Sequence, residues 1–325
     1  MVSFMRKNNK LKPGELYMRD AAFSEPGFLI SNMNRHTDWA VIICLVGGGQ
    51  EINRGEAGMP EWFDSLRKHF PDWHVYTTKQ INDNVYLRDR SWQELVSGLH
   101  LHFNNHLHLS ASMRSFRSER VAEFVHQLLD NKAEEAKQLL SEINDKYPIR
   151  ITRDLNIAKN WVRTVARGNE RYGLFASSNA ARLKPRGVVY ARDRNSISPD
   201  NWFLNERDDI RSSYFLEAVA SEFETQGLEL DFAIVAWDAD LRIENGKWKH
   251  YQLSTRKNPP DWSPVKSMDN IIYLTNAYRV LLTRARQGFI IYVPEGVNDD
   301  ETRRPEVYDG TYQYLKDLGI EEIHA

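Results

Sequence analysis

"TNAYRVLLTRARQGFIIYV", residues 275–293, changes periodicity partway along, and that change decides the fold class. Leu274, Tyr278, Leu281, Leu282 and Ala285 recur at helical spacing and predict an amphipathic helix over residues 270–285. "FIIYV" (289–293) then reads as a strand that is apolar on both faces, as strands of a helix-covered parallel sheet are. Arg284 and Arg286 stand at the junction. Basic residues in a last helical turn complement the helix dipole, which is by itself a sufficient reason for them.

Outward from this unit the same alternation repeats. Short apolar runs predict strands at 39–46, 73–78, 107–111, 149–152, 172–177, 215–221 and 232–237. Helices are expected at 59–70, from Ser118 to about Asp145, at 154–168 and at 309–318, with Asp154 and Asp309 as N-cap candidates. Strands alternating with amphipathic helices give an α/β fold built on a parallel sheet. Residues 184–202 and 254–267, rich in Pro, Ser, Asn and Asp, read as long loops, and a domain boundary is expected near residue 109.

At 325 residues the chain can bury one large core or two smaller ones, and its 41% hydrophobic and 27% charged content is that of a soluble globular protein. A formal net charge of −2 gives neither the basic field of a general nucleic-acid binder nor an acidic solvating tail. Cys44 is the one cysteine and falls inside the apolar run 39–46, so it is expected to be a small buried hydrophobe in a reducing cytoplasm. No stretch approaches the roughly 18 apolar residues of a membrane span, and no membrane partner is expected.

Three loops join that helix–strand junction in carrying chemistry. "VGGGQEINRGEAG" (46–58) follows an apolar run, but its spacing fits neither GxxxxGK[ST] nor GxGxxG. With Gln50 after its glycines it suits sensing a phosphate better than wrapping one, and a plain turn between strand and helix explains it equally well. "LSASMRS" (109–115) puts Arg114 at a strand end ahead of a helix, where a guanidinium reaches phosphate across a cleft or simply lies on a solvated rim. "SEFETQGLELD" (221–231) offers Gly227 for an unusual backbone, with Glu229 and Asp231 at the mouth of a sheet; an ordinary strand–loop–strand connection is the alternative.

In this order the four segments resemble the third to sixth motifs of superfamily 1 helicases. "GGGQEINRGEAG", "QGLELD", "WDADLR", "YRVLLTRARQG" and "YDGTYQYLKDLGI" resemble more closely the Schlafen-type (group 3) DNA/RNA helicase-like ATPase family. That resemblance implies RecA-like parallel sheets flanked by helices, with a remnant of the first domain over 1–109 and a complete second domain over 110–325. It makes Gln50 a coupling residue, sets Arg114 and Arg284 on phosphate with Arg284 as the arginine finger, and puts Gly227 and Glu229 at the nucleotide, Glu229 near ribose. The chain departs from the pattern in places: the third motif is one residue short and lacks its acidic residue, Ser221 replaces a threonine and Gln226 a lysine.

Family members begin with a phosphate-binding loop and an Asp-Glu metal-binding motif, and this chain contains neither. ATP and Mg2+ are therefore expected only in an assembly completed by a separately encoded N-terminal half, and no hydrolysis is expected from this chain alone. Single-stranded DNA or RNA is the implied partner. From Ile151 to Arg194 there are ten Lys/Arg against three Asp/Glu, interleaved with Trp161, Tyr172 and Tyr190. Lys159, Arg163 and Arg167 suit a backbone track, although a solvated basic face explains the same pattern.

No metal site is expected. His100, His102, His106 and His108 lack a completing carboxylate or cysteine, and Asp238, Asp240, Glu244 and Lys247 miss the usual nuclease spacing. The rival readings are a non-catalytic nucleic-acid-binding or regulatory module that kept the fold, and a truncated gene product.

Overall fold

The computed structural model describes residues 24–45, 58–82, 87, 90–108, 116–189, 197–254 and 259–324, and the chain divides into two units, Met1–Ala111 and Ser112–Ala325. In the first unit α1 (Glu25–Met33) and α2 (Gly58–His69) precede β1 (His74–Thr77), α3 (Trp92–Val96) and β2 (His100–Phe103). The two strands pair in parallel, His74 opposite His100 and Thr77 opposite Phe103. Phe63, Ile81, Leu87 and Leu95 form a small core. Asp64 of α2 accepts both arms of the Arg90 guanidinium, at 2.7 and 3.2 Å.

Two expectations for this unit are corrected. Residues 39–45 form no strand: Trp39, Val41, Ile43 and Leu45 are 78, 62, 83 and 84% exposed, and Cys44 is exposed with them. An apolar run becomes a strand only where a ladder partner meets its backbone, and the β1–β2 pair does not extend to it. Only Ile42 of the run packs, against the Ile30, Leu66 and Phe70 cluster. Of the strand expected at 107–111, Leu107 ends a 3-10 turn, Asn105–Leu107, capped by Asn104, residues 109–111 lie outside the described residues, and the strand seen nearby is β2.

The second unit runs α4 (Phe116–Leu129), α5 (Ala133–Ile143), β3 (Ile149–Thr152), α6 (Leu155–Val165), β4 (Tyr172–Ala176), α7 (Pro199–Leu204), β5 (Val219–Ala220), α8 (Glu222–Thr225) and β6 (Leu230–Ala236). After β6 come β7 (Leu241–Glu244), β8 (Lys247–Ser254), β9 (Asp261–Pro264), α9 (Met268–Leu282), β10 (Ala285–Tyr292), α10 (Glu306–Asp317) and β11 (Glu321–Glu322). Six strands form one parallel sheet in the order β11-β3-β10-β6-β4-β5. Ile151, Ile291, Val235 and Phe175 lie in one register row across its centre.

Both faces of this sheet are buried, which is why its strands are apolar at consecutive positions. Phe175, Ala233, Val235, Phe289 and Ile291 pack with residues of α4, α5, α9 and α10. Leu174, Ala176, Ile234, Ala236 and Ile290 pack on the other side with Ala158 and Val162 of α6. The fold is thus α/β with helices on both sides of a parallel sheet, consistent with the RecA-like class. Asp154 caps α6, its Oδ1 accepting from the Asn156 and Ile157 amides at 2.6 and 3.4 Å.

Elsewhere the chain departs from what its periodicity predicts. The single helix expected from Ser118 to Asp145 is a hairpin of α4 and α5, turned at Asn131 with φ of 59°. Asparagine tolerates this left-handed conformation better than other non-glycine residues. The supposed loop 254–267 contributes β8's last residue and β9 to an antiparallel β7-β8-β9 sheet, whose first hairpin turns on Asn245-Gly246 at φ of 52° and 73°. Asp309 lies within α10 rather than capping it, and accepts from Arg153 Nη2 at 2.7 Å. No helix among the described residues is long and apolar enough to cross a membrane.

Candidate functional site

The amino ends of β6 and β10 gather several of the residues singled out in sequence. Helix α9 buries Leu274, Tyr278, Leu281 and Leu282, and ends where Thr283 turns its hydroxyl onto the Arg279 carbonyl at 2.8 Å. The next carbonyl, of Arg284, accepts the Leu230 N–H at 2.8 Å, so the turn out of α9 and the start of β6 are bonded directly. Tyr147 fixes the following residue, donating its hydroxyl to the Ala285 carbonyl at 2.8 Å.

Glu229 precedes β6 and accepts from Arg286 Nε at 3.1 Å. Gly227, two residues earlier, has φ of +85°, a conformation an L side chain would strain to adopt. It follows α8, which Ser221 and Glu224 close in a capping box. Asp231 accepts from the Arg171 N–H at 2.7 Å and from Gln287 Nε2 at 3.2 Å. The edge thus presents Glu229, Asp231 and Arg286 on a backbone held from both sides.

Arg284 and Arg286 differ sharply in exposure. Arg284 is 2% exposed and lies inside the fold rather than on a helix rim, whereas the Arg286 side chain is 60% exposed. Gly227, Glu229 and Arg284 are therefore brought to one edge, with the Arg284 guanidinium covered. Gln50 and Arg114 lie outside the described residues.

Lys159, Arg163 and Arg167 follow α6 and the turn after it. Lys159 is mostly covered and binds Glu217 at 3.1 Å, while Arg163 and Arg167 are exposed. The aromatics read as interleaved stacking platforms pack instead: Trp161 meets Phe232 edge-on, and Tyr172, 5% exposed, meets Tyr214. Tyr190 lies outside the described residues.

The opposite, carboxyl ends of the strands hold an acidic nest that sequence reading treated only as a poor metal motif. Asp238 and Asp240, just past β6, are 1% and 0% exposed, and Glu222 is 2% exposed. Asp240 accepts from Tyr278 and Ser177 hydroxyls at 2.5 and 2.8 Å. Asp238 accepts from the Tyr308 hydroxyl at 3.0 Å and the Arg182 N–H at 2.8 Å. Glu222 accepts from the Ser178 hydroxyl and amide at 2.6 and 2.9 Å.

Burial pushes the Asp240 carboxyl up to about 7, with the Asp238 charge adding to it against the hydroxyl bonds. Burial also raises Asp238 and Glu222. The nest therefore ties α9 (Tyr278) and α10 (Tyr308) to the end of β6 and can hold a proton near neutral pH. Its readable sign was the Asp-Ala-Asp step directly after an apolar strand.

His74 and His102 face each other on β1 and β2 with Nδ1 and Nε2 2.9 Å apart, and His100 stacks on His74. Among the described residues no three His, Cys, Asp or Glu are placed to hold a metal ion.

The family described as Schlafen group 3, DNA/RNA helicase domain, matches residues 14–295. No curated protein and no solved structure matches the chain.

Proposed function

The chain belongs to the Schlafen group 3 DNA/RNA helicase domain family, and from that premise we propose that it supplies the arginine-bearing part of a nucleic-acid-dependent ATPase. The observation that supports this most is the join between the fifth and sixth motif-like segments: Arg284 and Leu230 share a backbone hydrogen bond of 2.8 Å, and Arg286 holds Glu229 at 3.1 Å. A carboxylate and the exposed Arg286 guanidinium at one sheet edge, with Arg284 joined to them through its backbone, suit a ribose hydroxyl and a polyphosphate. Bound ATP would supply the transferable phosphoryl group; Glu229 would orient the sugar and Arg286 would neutralise phosphate charge.

Arg284 acts as the finger in this reading. Its backbone is held by the Leu230 N–H, and reaching phosphate requires its side chain to leave the buried position it holds in the fold. The 325 residues contain no Gly-Lys-Ser/Thr sequence, so phosphate-wrapping amides, the lysine and the magnesium carboxylate come from other residues. Gln50 couples that chemistry to nucleic acid and Arg114 adds a second phosphate contact.

The burial of Arg284, at 2% exposure, favours a second reading, a nucleic-acid-binding module in which the arginine is structural. ATP turnover separates the two. The purified chain should show none with Mg-ATP, and turnover should arise when a phosphate-loop-bearing N-terminal half is fused or co-expressed. Turnover by the chain alone would refute the divided ATPase; a correctly folded combination without turnover would favour the binding module.

A further inference from the structure

A cavity of about 440 Å³ opens where β3 and β10 end and α6 begins, on the carboxyl side of the sheet and away from Glu229 and Arg284. Sites for small ligands commonly span roughly 300–1,000 Å³. Two of its lining residues are cations. Arg153 is anchored through Nη2 on the Pro294 carbonyl at 2.9 Å and on Asp309 at 2.7 Å, and lies over the Tyr312 ring at 4.5 Å. Arg186 is exposed and donates Nη2 to the Glu295 carbonyl at 2.7 Å.

Leu155 opens α6 here, and its N–H is one of those a helix start leaves without an intrahelical acceptor, while Asp154 caps the next two amides. Carboxylates complete the lining. Asp154, Glu295 and Glu322 belong to it, the last held by Lys316 at 2.6 Å.

Tyr292 distinguishes this cavity from an ordinary surface dip. It ends β10, is 2% exposed, and lines the cavity, yet its hydroxyl has no hydrogen-bond partner among the described residues. That hydroxyl is not one of the fully buried unpaired polar atoms, so it is reached from the cavity and is open to a ligand's hydrogen bond. Two arginines and a helix start favour an anion, and nearby carboxylates accept from hydroxyl groups.

We propose that this cavity binds a ribose phosphate, with the phosphate toward Arg153, Arg186 and the Leu155 amide and the sugar hydroxyls toward Tyr292 and Glu295. The same chemistry is offered by a free sugar phosphate and by a ribose phosphate unit of single-stranded RNA. The proposal stands apart from the ATPase reading, because none of its residues lies at the amino edge of the sheet.

Calorimetric titration of the full chain with ribose 5-phosphate, inorganic phosphate and a short single-stranded RNA tests it. Tyr292→Phe removes one oxygen and should weaken ribose 5-phosphate or RNA about 3–10-fold; Arg186→Ala, at an exposed position, should weaken it about tenfold or more. Binding of ribose 5-phosphate that both variants weaken identifies a free sugar phosphate as occupant, and an effect seen only with RNA identifies the nucleic acid; either supports the site. Ribose 5-phosphate bound no better than inorganic phosphate with RNA indifferent to both variants, or no binding of any ligand, would overturn it.

Discussion

Leu230 donates its N–H to the Arg284 carbonyl across 2.8 Å, so the first residue of β6 and the turn leaving α9 move as one hydrogen-bonded unit. The Arg286–Glu229 contact closes the same junction one side chain further out. A nucleotide that engaged Glu229 would therefore act on a backbone shared with Arg284. Several measurable consequences follow from the geometry of this unit and of the core beneath it.

Arg286→Ala should leave the fold almost unchanged. Its ion pair with Glu229 is 60% and 23% exposed on the two sides, and such pairs contribute less than about 1 kcal/mol. Urea denaturation should show a midpoint close to wild type. A loss of several kcal/mol would mean that the pair is structural and not poised for a ligand.

Asp240 makes stability depend on pH. Its carboxyl sits at about 7 in the fold against an ordinary 3.8. A raised folded value means stabilisation that is complete below the unfolded value and lost as pH rises through the folded one. The wild type should therefore lose stability between about pH 4 and pH 7, and Asp240→Asn, which keeps the shape but does not titrate, should lose the part of that dependence that Asp240 contributes, leaving what Asp238 and Glu222 add. Thermal melts at pH 5 and pH 8 check this: the variant should gain on the wild type at the higher pH, and an equal difference at both would contradict it.

Gly173→Ala should destabilise the second unit. A methyl there would lie 2.5 Å from Trp202 Cη2 and 2.8 Å from Leu230 Cδ1, both inside the core. Overpacking of this kind costs about 1–3 kcal/mol, read as a lower denaturation midpoint. An unchanged midpoint would show that Trp202 has room to move.

Nucleic-acid binding along α6 should depend on Arg163 and Arg167 more than on Lys159, which Glu217 already neutralises at 3.1 Å. Replacing both arginines with alanine should flatten the salt dependence of single-strand binding by roughly two phosphate contacts. Lys159→Ala should have the smaller effect, and a reversal of that order would move the track elsewhere.

The centre of the sheet was legible because β4, β6 and β10 announce themselves as apolar runs, whereas "IRIT", which coincides with β3 residue for residue, alternates, and the edge strand β11, Glu321–Glu322, carries no apolar signal. Gly227 was legible too, since a break between two apolar segments called for a backbone that glycine adopts freely, although the segment before it is the short helix α8 and not a strand. Trp39 to Leu45 misled for the opposite reason: an apolar run marks a segment able to pair, and says nothing about whether a partner strand stands beside it. The β7–β8 hairpin carried a readable Asn245-Gly246 turn, whereas Asp238 and Asp240, set aside in the sequence as a poor metal motif, gave no sign of being hydrogen-bonded staples. Nor could spacing reveal that Arg284 is covered and Arg286 open, because exposure depends on packing contributed from distant parts of the chain.

The most direct test of the proposed arginine finger is ATP turnover by the chain joined to a phosphate-loop-bearing N-terminal half, compared for wild type and Arg284→Lys. Lysine keeps the charge and loses the planar fork. Because Arg284 is buried, both proteins should first be matched for folding by circular dichroism and thermal melting. With folding and ATP binding retained, turnover should fall by roughly a thousandfold or more, as loss of a finger does. Equal turnover with lysine in that place would make Arg284 a packing residue and contradict the assignment.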